Sequence, residues 1–167
     1  MTPQQITQTL RSRFADKILA AFPDDKHPRV HIEASNWREV AKFLRTDEQL
    51  QFDWLANLSG VDYAADETLA VVYDLWSYER RHDFAVKVFC DRNRPHVPSV
   101  CDLWRAAEWH EREAYDMFGI IFDAHPELRR ILMADDWVGH PLRKDYVFPR
   151  EYHGIPASVE LDWHQKE

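Results

Sequence analysis

The sequence predicts an α+β fold: N-terminal helices on a mixed or antiparallel sheet of about four strands, then one more helix and an extended C-terminal tail. Three observations carry this. Apolar residues recur at helical spacing near the N-terminus. Two alternating apolar runs sit side by side in the middle of the chain. Beyond about Pro149 periodicity ceases.

In chain order, Thr2-Pro3-Gln4-Gln5 opens a helix, with Thr2 and Gln5 as a capping box and Pro3 at the first helical position. Ile6, Leu10, Phe14 and Ile18 extend it over about 3–21, and Pro23 ends it. Val30–Glu33 alternates as a short strand. Asn36 and Glu39 form a second capping box, opening a helix through Val40, Ala41 and Leu44. Phe52–Leu58 is apolar at mixed spacing and reads as either helix or strand. Leu69–Trp76 and Phe84–Phe89 are strands, and the short polar link Tyr78–Asp83 makes them an antiparallel hairpin. Asn93–Pro98 reads as a loop. Ser99 or Asp102 caps a helical stretch from about Leu103 to Phe118, stopped by Gly119. His125-Pro126 is a turn, Glu127–Met133 a short helix, and Gly139-His140-Pro141 another turn. The expected division is an α+β domain over 1–122 and an irregular docking segment with a tail over 123–167.

Composition narrows the function. A 45% hydrophobic and 13% aromatic share gives a chain with a core to bury, not a disordered one. The net charge of −8 argues against nucleic acid as a partner. Acids dominate from Asp47 to Asp74, whereas Arg129, Arg130, Arg143 and Lys144 gather late. Cys90 and Cys101 are too few for an iron–sulfur cluster and are expected to be reduced structural thiols. The N-terminus lacks the pattern of a signal peptide. The longest apolar run, about Met117–Phe122, falls far short of the roughly 20 residues a membrane span needs. The expected location is the cytoplasm.

The informative stretch is Trp104–Tyr146. On a helix, Arg112 and Asp116 stand at i,i+4 and Glu113 and Asp116 at i,i+3. The face carrying Trp109, Glu113 and Asp116 must therefore be solvated or paired with cations. Paired carboxylates also serve glycoside hydrolysis, but such spacing on one helix is common without chemistry. His110, His125 and His140 invite a metal, yet no two share the spacing that puts both imidazoles on one helix face. Only four glycines are present and none forms a nucleotide-binding loop. Nothing in the sequence carries electrons, binds NADH or activates a nucleophile.

Glu111-Arg112-Glu113-Ala114-Tyr115-Asp116-Met117-Phe118-Gly119-Ile120 resembles the signature of the 30 kDa subunit family of respiratory complex I, the proton-translocating NADH:quinone oxidoreductase. Phe122, His125-Pro126, Leu128-Arg129-Arg130-Ile131-Leu132 and Gly139-His140-Pro141-Leu142-Arg143-Lys144-Asp145-Tyr146 continue it. Val61-Asp62-Tyr63 and Pro98-Ser99-Val100 before Trp104 agree. The resemblance implies a non-catalytic peripheral subunit on the cytoplasmic side of the inner membrane. It implies no cofactor or metal in this chain; NADH, FMN, iron–sulfur clusters and quinone would belong to partner subunits. The implied partners are other complex I subunits, chiefly the neighbour that is fused to this one in some family members. Membrane association would come only through them. The docking surface is expected over His125–Tyr146 and the tail, where Arg129, Arg130, Arg143 and Lys144 meet Trp137, Tyr146 and Phe148. The alternative is that the arginines pair with Glu111, Glu113, Asp116, Asp135 or Asp136 inside the chain. Alternatives are the equivalent subunit of a ferredoxin-linked or hydrogenase membrane complex, a metal-dependent hydrolase using Glu113, Asp116 and His125, and a free adaptor.

Overall fold

The two alternating runs form ten-residue strands, Thr68–Ser77 (β4) and His82–Asp91 (β5), in the computed structural model, which describes residues 1–156. They pair antiparallel, with Val71 opposite Val88 and Tyr73 opposite Val86, so Leu69, Val71, Tyr73, Leu75, Phe84, Val86 and Val88 share one buried face. Helices Pro3–Phe14 (α1) and Ala34–Thr46 (α2) cover that face. Trp37 of α2 packs on Tyr73 at 4.2 Å between ring centroids and stacks on Trp104. The Trp104 indole N–H finds the Phe52 carbonyl at 2.8 Å.

The sheet has five strands, not about four. Its order is β1 (Ile18–Phe22), β2 (Arg29–Glu33), β5, β4, β3 (Trp54–Tyr63). The β2–β5 pair is parallel and the others antiparallel, so the sheet is mixed. The extra strand comes from residues expected to be helical. The first helix stops at Phe14, a single 3₁₀ turn follows, and Ile18–Phe22 hydrogen-bonds along β2. Ile18 continues the helical spacing by coincidence; backbone pairing overrides it.

Other expectations shift for local reasons. The α2 helix starts at Ala34 without a side-chain cap, leaving Asn36 inside the first turn. The mixed spacing of Phe52–Leu58 reflects a bulge between Leu55 and Asn57, which brings both Leu55 and Leu58 inward. Residues His96–Pro98 form a short strand (β6) parallel to Ile121–Asp123 (β7). The third helix (α3) spans Ala107–Phe118, with Gly119 left-handed at φ 73° as its C-cap. Neither Ser99 nor Asp102 caps it: Ser99 bonds Glu111 and Asp102 pairs with Arg38. No helix forms over Glu127–Met133. Instead of an open tail from Pro149, Glu151–Tyr152 (β8) and Ile155–Pro156 (β9) make a small hairpin whose Tyr152 ring lies 5.0 Å from Trp137. The tail beyond Pro156 lies outside the described residues. Both cysteines are free; burial pushes the Cys90 thiol up to about 11.

Trp37, with none of its surface exposed, joins α2 to the sheet and to the loop before α3. Trp37→Ala is expected to cost about 3–5 kcal/mol by leaving a large cavity. Urea unfolding should show the midpoint falling with little change in slope.

Candidate docking site

The site is assembled where α3 lies on the edge strand β3. Gly60 permits the approach, because a Cβ there would meet the Phe118 ring. The outward Leu58 N–H donates to His110 Nδ1 at 3.1 Å, covering part of the strand edge. The face carrying Trp109, Glu113 and Asp116, expected to be solvated or paired with cations, is divided: Trp109 and Glu113 meet solvent, and Asp116 is paired with Arg130. Glu111, Arg112 and Asp116 are buried, while Glu113 and Trp109 remain exposed. Arg112 does not pair with Asp116 one turn on; Asp116 takes Arg130 and Arg112 faces Glu127.

Asp116 organises the segment that follows the helix. Its Oδ2 accepts from the backbone N–H groups of Ile131, Leu132 and Met133 at 3.0, 2.7 and 2.9 Å. This is why no helix forms there: the amides spend their hydrogen bonds on a carboxylate instead of on preceding carbonyls. Asp116 Oδ1 takes Arg130 Nη1 at 2.7 Å, and Arg130 Nη2 reaches the carbonyls of Trp137 and Gly139 at 3.0 Å each. Burial pushes the Asp116 carboxyl up, but these four donors overcome it and hold it below the usual aspartate range.

The same segment completes the end of α3. The last four carbonyls of a helix have no partner within it. Here Tyr115 C=O accepts from Gly119 N–H at 2.8 Å, and Asp116 C=O takes the His140 ring at 3.0 Å. Met117 C=O accepts from Leu142 N–H at 3.1 Å, and Phe118 C=O from Arg143 Nε at 2.7 Å. The His140 ring rests on Gly119, where a side chain would collide with it. Gly139-His140-Pro141-Leu142-Arg143 is thus a capping sequence acting from more than twenty residues away, and Arg143 adds a cation at the negative end of the helix dipole.

Asp62 on β3 is a second anchor. Its carboxylate takes Arg92 at 2.8 and 3.0 Å and the Lys144 N–H at 2.8 Å, and Arg92 also binds Asp145 at 2.6 Å. Arg92 is foremost in holding the Asp62 carboxyl below its usual range, against burial. Tyr146 closes the segment: its hydroxyl accepts from the Trp137 indole at 2.8 Å, and its ring lies over Gly139.

Of the residues expected at the site, Asp116, Gly119, Arg130, Gly139, His140, Arg143, Asp145 and Tyr146 are thus joined in one bonded assembly, with Pro141 half-buried within the capping turn. Pro126 sits on an exposed turn and Arg129 pairs with Glu127 outside the assembly, while the Lys144 side chain is exposed. Sequence reasoning missed Arg92 and Gly60; it named Asp62 and Ser99 within the resemblance, and Ser99 as a helix cap, without the partners the structure gives them. For Asp62 the signal of a partner was available. It shares the inward parity of Leu58, and a carboxylate on the inward face of a strand requires a cation.

Cys101, Glu111 and His125 bring metal-ligand types together among the described residues, but their donor atoms are spent. Glu111 accepts from Ser99 Oγ, Val100 N–H and Cys101 Sγ. His125 Nδ1 accepts from Glu127 N–H, so Nε2 carries the proton and donates to the Glu108 carbonyl. Burial, above all, raises both the Glu111 carboxyl and the Cys101 thiol, the latter to about 12. The set does not fit a metal. Nor do Glu113, Asp116 and His125 form a hydrolytic centre: Asp116 is inaccessible and fully bonded, and Glu113 faces solvent.

The assembly turns apolar side chains to solvent, interspersed with the exposed Asp135, Asp136, Lys144, Asp145, Arg150 and Glu151. Of the twelve large hydrophobic side chains exposed among the described residues, six fall within residues 132–155: Leu132, Val138, Leu142, Val147, Phe148 and Ile155. Exposed apolar groups on a bonded framework make this segment the candidate docking site.

A family model for the respiratory-chain NADH dehydrogenase 30 Kd subunit matches residues 30–152. An NADH-quinone oxidoreductase subunit of Chloroherpeton thalassium is 46% identical over 150 residues, covering 89% of this chain; the chain spans 62% of that relative's length. Its counterpart in Chlorobium phaeobacteroides is 44% identical over 160 residues, covering 91% of this chain and 96% of the relative. A trypsin-resistant fragment (1-134) of Nqo5 superposes with a TM-score of 0.65 at 27% identity, covering 77% of this chain and all of the fragment.

Asp116→Ala is expected to destabilise the chain by about 3 kcal/mol at pH 7, since it strands Arg130. The depressed carboxyl contributes stability above the ordinary aspartate value of about 4, and that stability is lost as pH falls through the lower folded value. Urea unfolding at pH 7 and pH 3 should therefore show the gap between wild type and variant narrowing in acid.

Proposed function

Because the chain belongs to the 30 Kd subunit family of the respiratory-chain NADH dehydrogenase, we propose that it is a cofactor-free, non-catalytic peripheral-arm subunit of NADH:quinone oxidoreductase. It supports assembly and the transfer of electrons from NADH to quinone, coupled to proton translocation. NADH, FMN, iron–sulfur clusters and quinone are held by its partners. Chief among these is the neighbour that other members of the family carry as a fusion. The chain sits on the cytoplasmic side of the membrane and is attached through those partners. Among the described residues no helix is long and apolar enough to cross a bilayer.

One observation carries the reading. Most ionic groups of the signature are consumed inside the chain, in capping α3 and folding the segment after it, while the apolar side chains of that segment point outward. An enzyme keeps such groups open to a substrate. A docking module spends them on rigidity and exposes a hydrophobic face. The half-buried Arg143, bonded to the Phe118 carbonyl, is scaffold; the contact surface is Leu132, Val138, Leu142, Val147 and Phe148.

The test separates folding from assembly. Val138→Lys with Val147→Lys alters side chains that are each 85% exposed, so the isolated chain should melt as wild type does. Affinity purification of the tagged variant from its host should recover far less of the partner subunits, and NADH:quinone activity of the membranes should fall. Full recovery and activity would place the docking surface elsewhere. Deleting residues 149–167 should likewise lower recovery while leaving the isolated fold in place.

A further inference from the structure

Arg112 is the ionic group of α3 whose demands the described residues do not meet. The residue is 1% exposed, yet its Nη2 has no hydrogen-bond partner among the described residues. Nε makes a long bond of 3.3 Å to the Arg129 carbonyl, and Nη1 stands 4.0 Å from Glu127 Oε2. Glu127 is drawn away by Arg129, which it binds at 2.8 Å. The neighbouring acids cannot help: Asp116 is taken by Arg130 and three amides, and Glu111 by Ser99, Val100 and Cys101. A buried donor without an acceptor is unfavourable, and more so when it is charged.

What shields Arg112 is an aromatic ring. Trp109, one turn earlier on α3, lies with its ring 4.7 Å from the Arg112 guanidinium carbon. That residue is itself 57% exposed, so its ring covers the cation without being locked in the core. Beneath this surface side chain lies a guanidinium fork with an unused nitrogen. The fork geometry suits a carboxylate, which two N–H groups can grip side by side. An exposed Trp over an Arg is also the residue pairing found at the energetic centre of interfaces.

We propose that Arg112 is a docking cation, and that its free Nη2 takes a carboxylate oxygen of a neighbouring subunit when the Trp109 ring swings aside. This rests on the reading of the chain as a docking subunit and extends its surface from the segment after α3 onto the face of the helix itself. The occupant is an Asp or Glu of the partner, because Asp116 and Glu111 are fully bonded and Glu127 is held by Arg129.

The experiment uses the full chain and the assembled complex. Arg112→Met keeps an unbranched apolar stem in place of the arginine's and removes the unpaired charge. The isolated R112M chain should melt at the wild-type temperature or above, since an uncompensated buried cation is lost. Its affinity for the partner subunits should fall at least about thirtyfold, with Arg112→Lys recovering only part. A photo-crosslinking benzoylphenylalanine at position 109, activated in the purified complex, should capture a partner peptide containing Asp or Glu. Three results would overturn the inference: wild-type partner affinity in R112M; a lower melting temperature of isolated R112M, which would mean the guanidinium already has its partner inside the chain; or a crosslink confined to residues 157–167 of the same chain. If the wild-type chain recovers no partner subunit at all, the docking reading fails and takes this inference with it.

Discussion

The last turn of a helix presents carbonyl groups that its own backbone cannot satisfy, and where water is excluded something else must reach them. At the end of α3 that need falls on Asp116, Met117 and Phe118, packed between the edge strand and the following segment. His140, Leu142 and Arg143 meet it. The Asp116 side chain reciprocates by collecting the amides of Ile131, Leu132 and Met133 and the Arg130 guanidinium. Helix and segment therefore complete each other. The segment needs the carboxylate because it lacks regular structure of its own, and the helix end needs the segment because it is buried. Asp62 and Arg92 hold the far end of the segment against the sheet through Lys144 N–H and Asp145.

This mutual dependence explains why a stretch without helix or sheet can have defined shape. Its backbone groups are bonded to side chains of the α+β domain in place of a ladder, which satisfies the requirement that buried polar groups be paired. Its own apolar side chains are then free to face outward. In an isolated chain those groups contribute little to folding; under the docking role proposed above, they are the area that association would bury.

Much of the fold was legible in the sequence where one period dominated. Leu69–Trp76 and Phe84–Phe89 announced a hairpin, and Gly119 announced the end of α3. Legibility failed where tertiary bonding replaced local preference. Ile18–Phe22 kept the helical rhythm of the preceding residues but pairs with β2. Glu127–Met133 has helix-forming residues, yet its amides answer to a carboxylate one helix away. At the site, the importance of Asp116, His140 and Arg143 was legible as a pattern, but their partners were not. Arg143 meets a carbonyl and not an acid, and no spacing along the chain reveals a bond made to backbone across twenty-five residues. That Asp62 needs a cation could have been read from its inward parity on β3; that Arg92, thirty residues on, supplies it could not.

The central claim is that the segment after α3 is ordered by its own chain and not by a partner. Hydrogen exchange on the isolated full-length protein tests it most directly, read at the amides of Ile131, Leu132, Met133 and Leu142. Slow exchange at these four positions without any partner present is the predicted result, because each donates to Asp116 or to the end of α3. Exchange there at the rate of an unstructured chain, becoming slow only in the assembled complex, would contradict it.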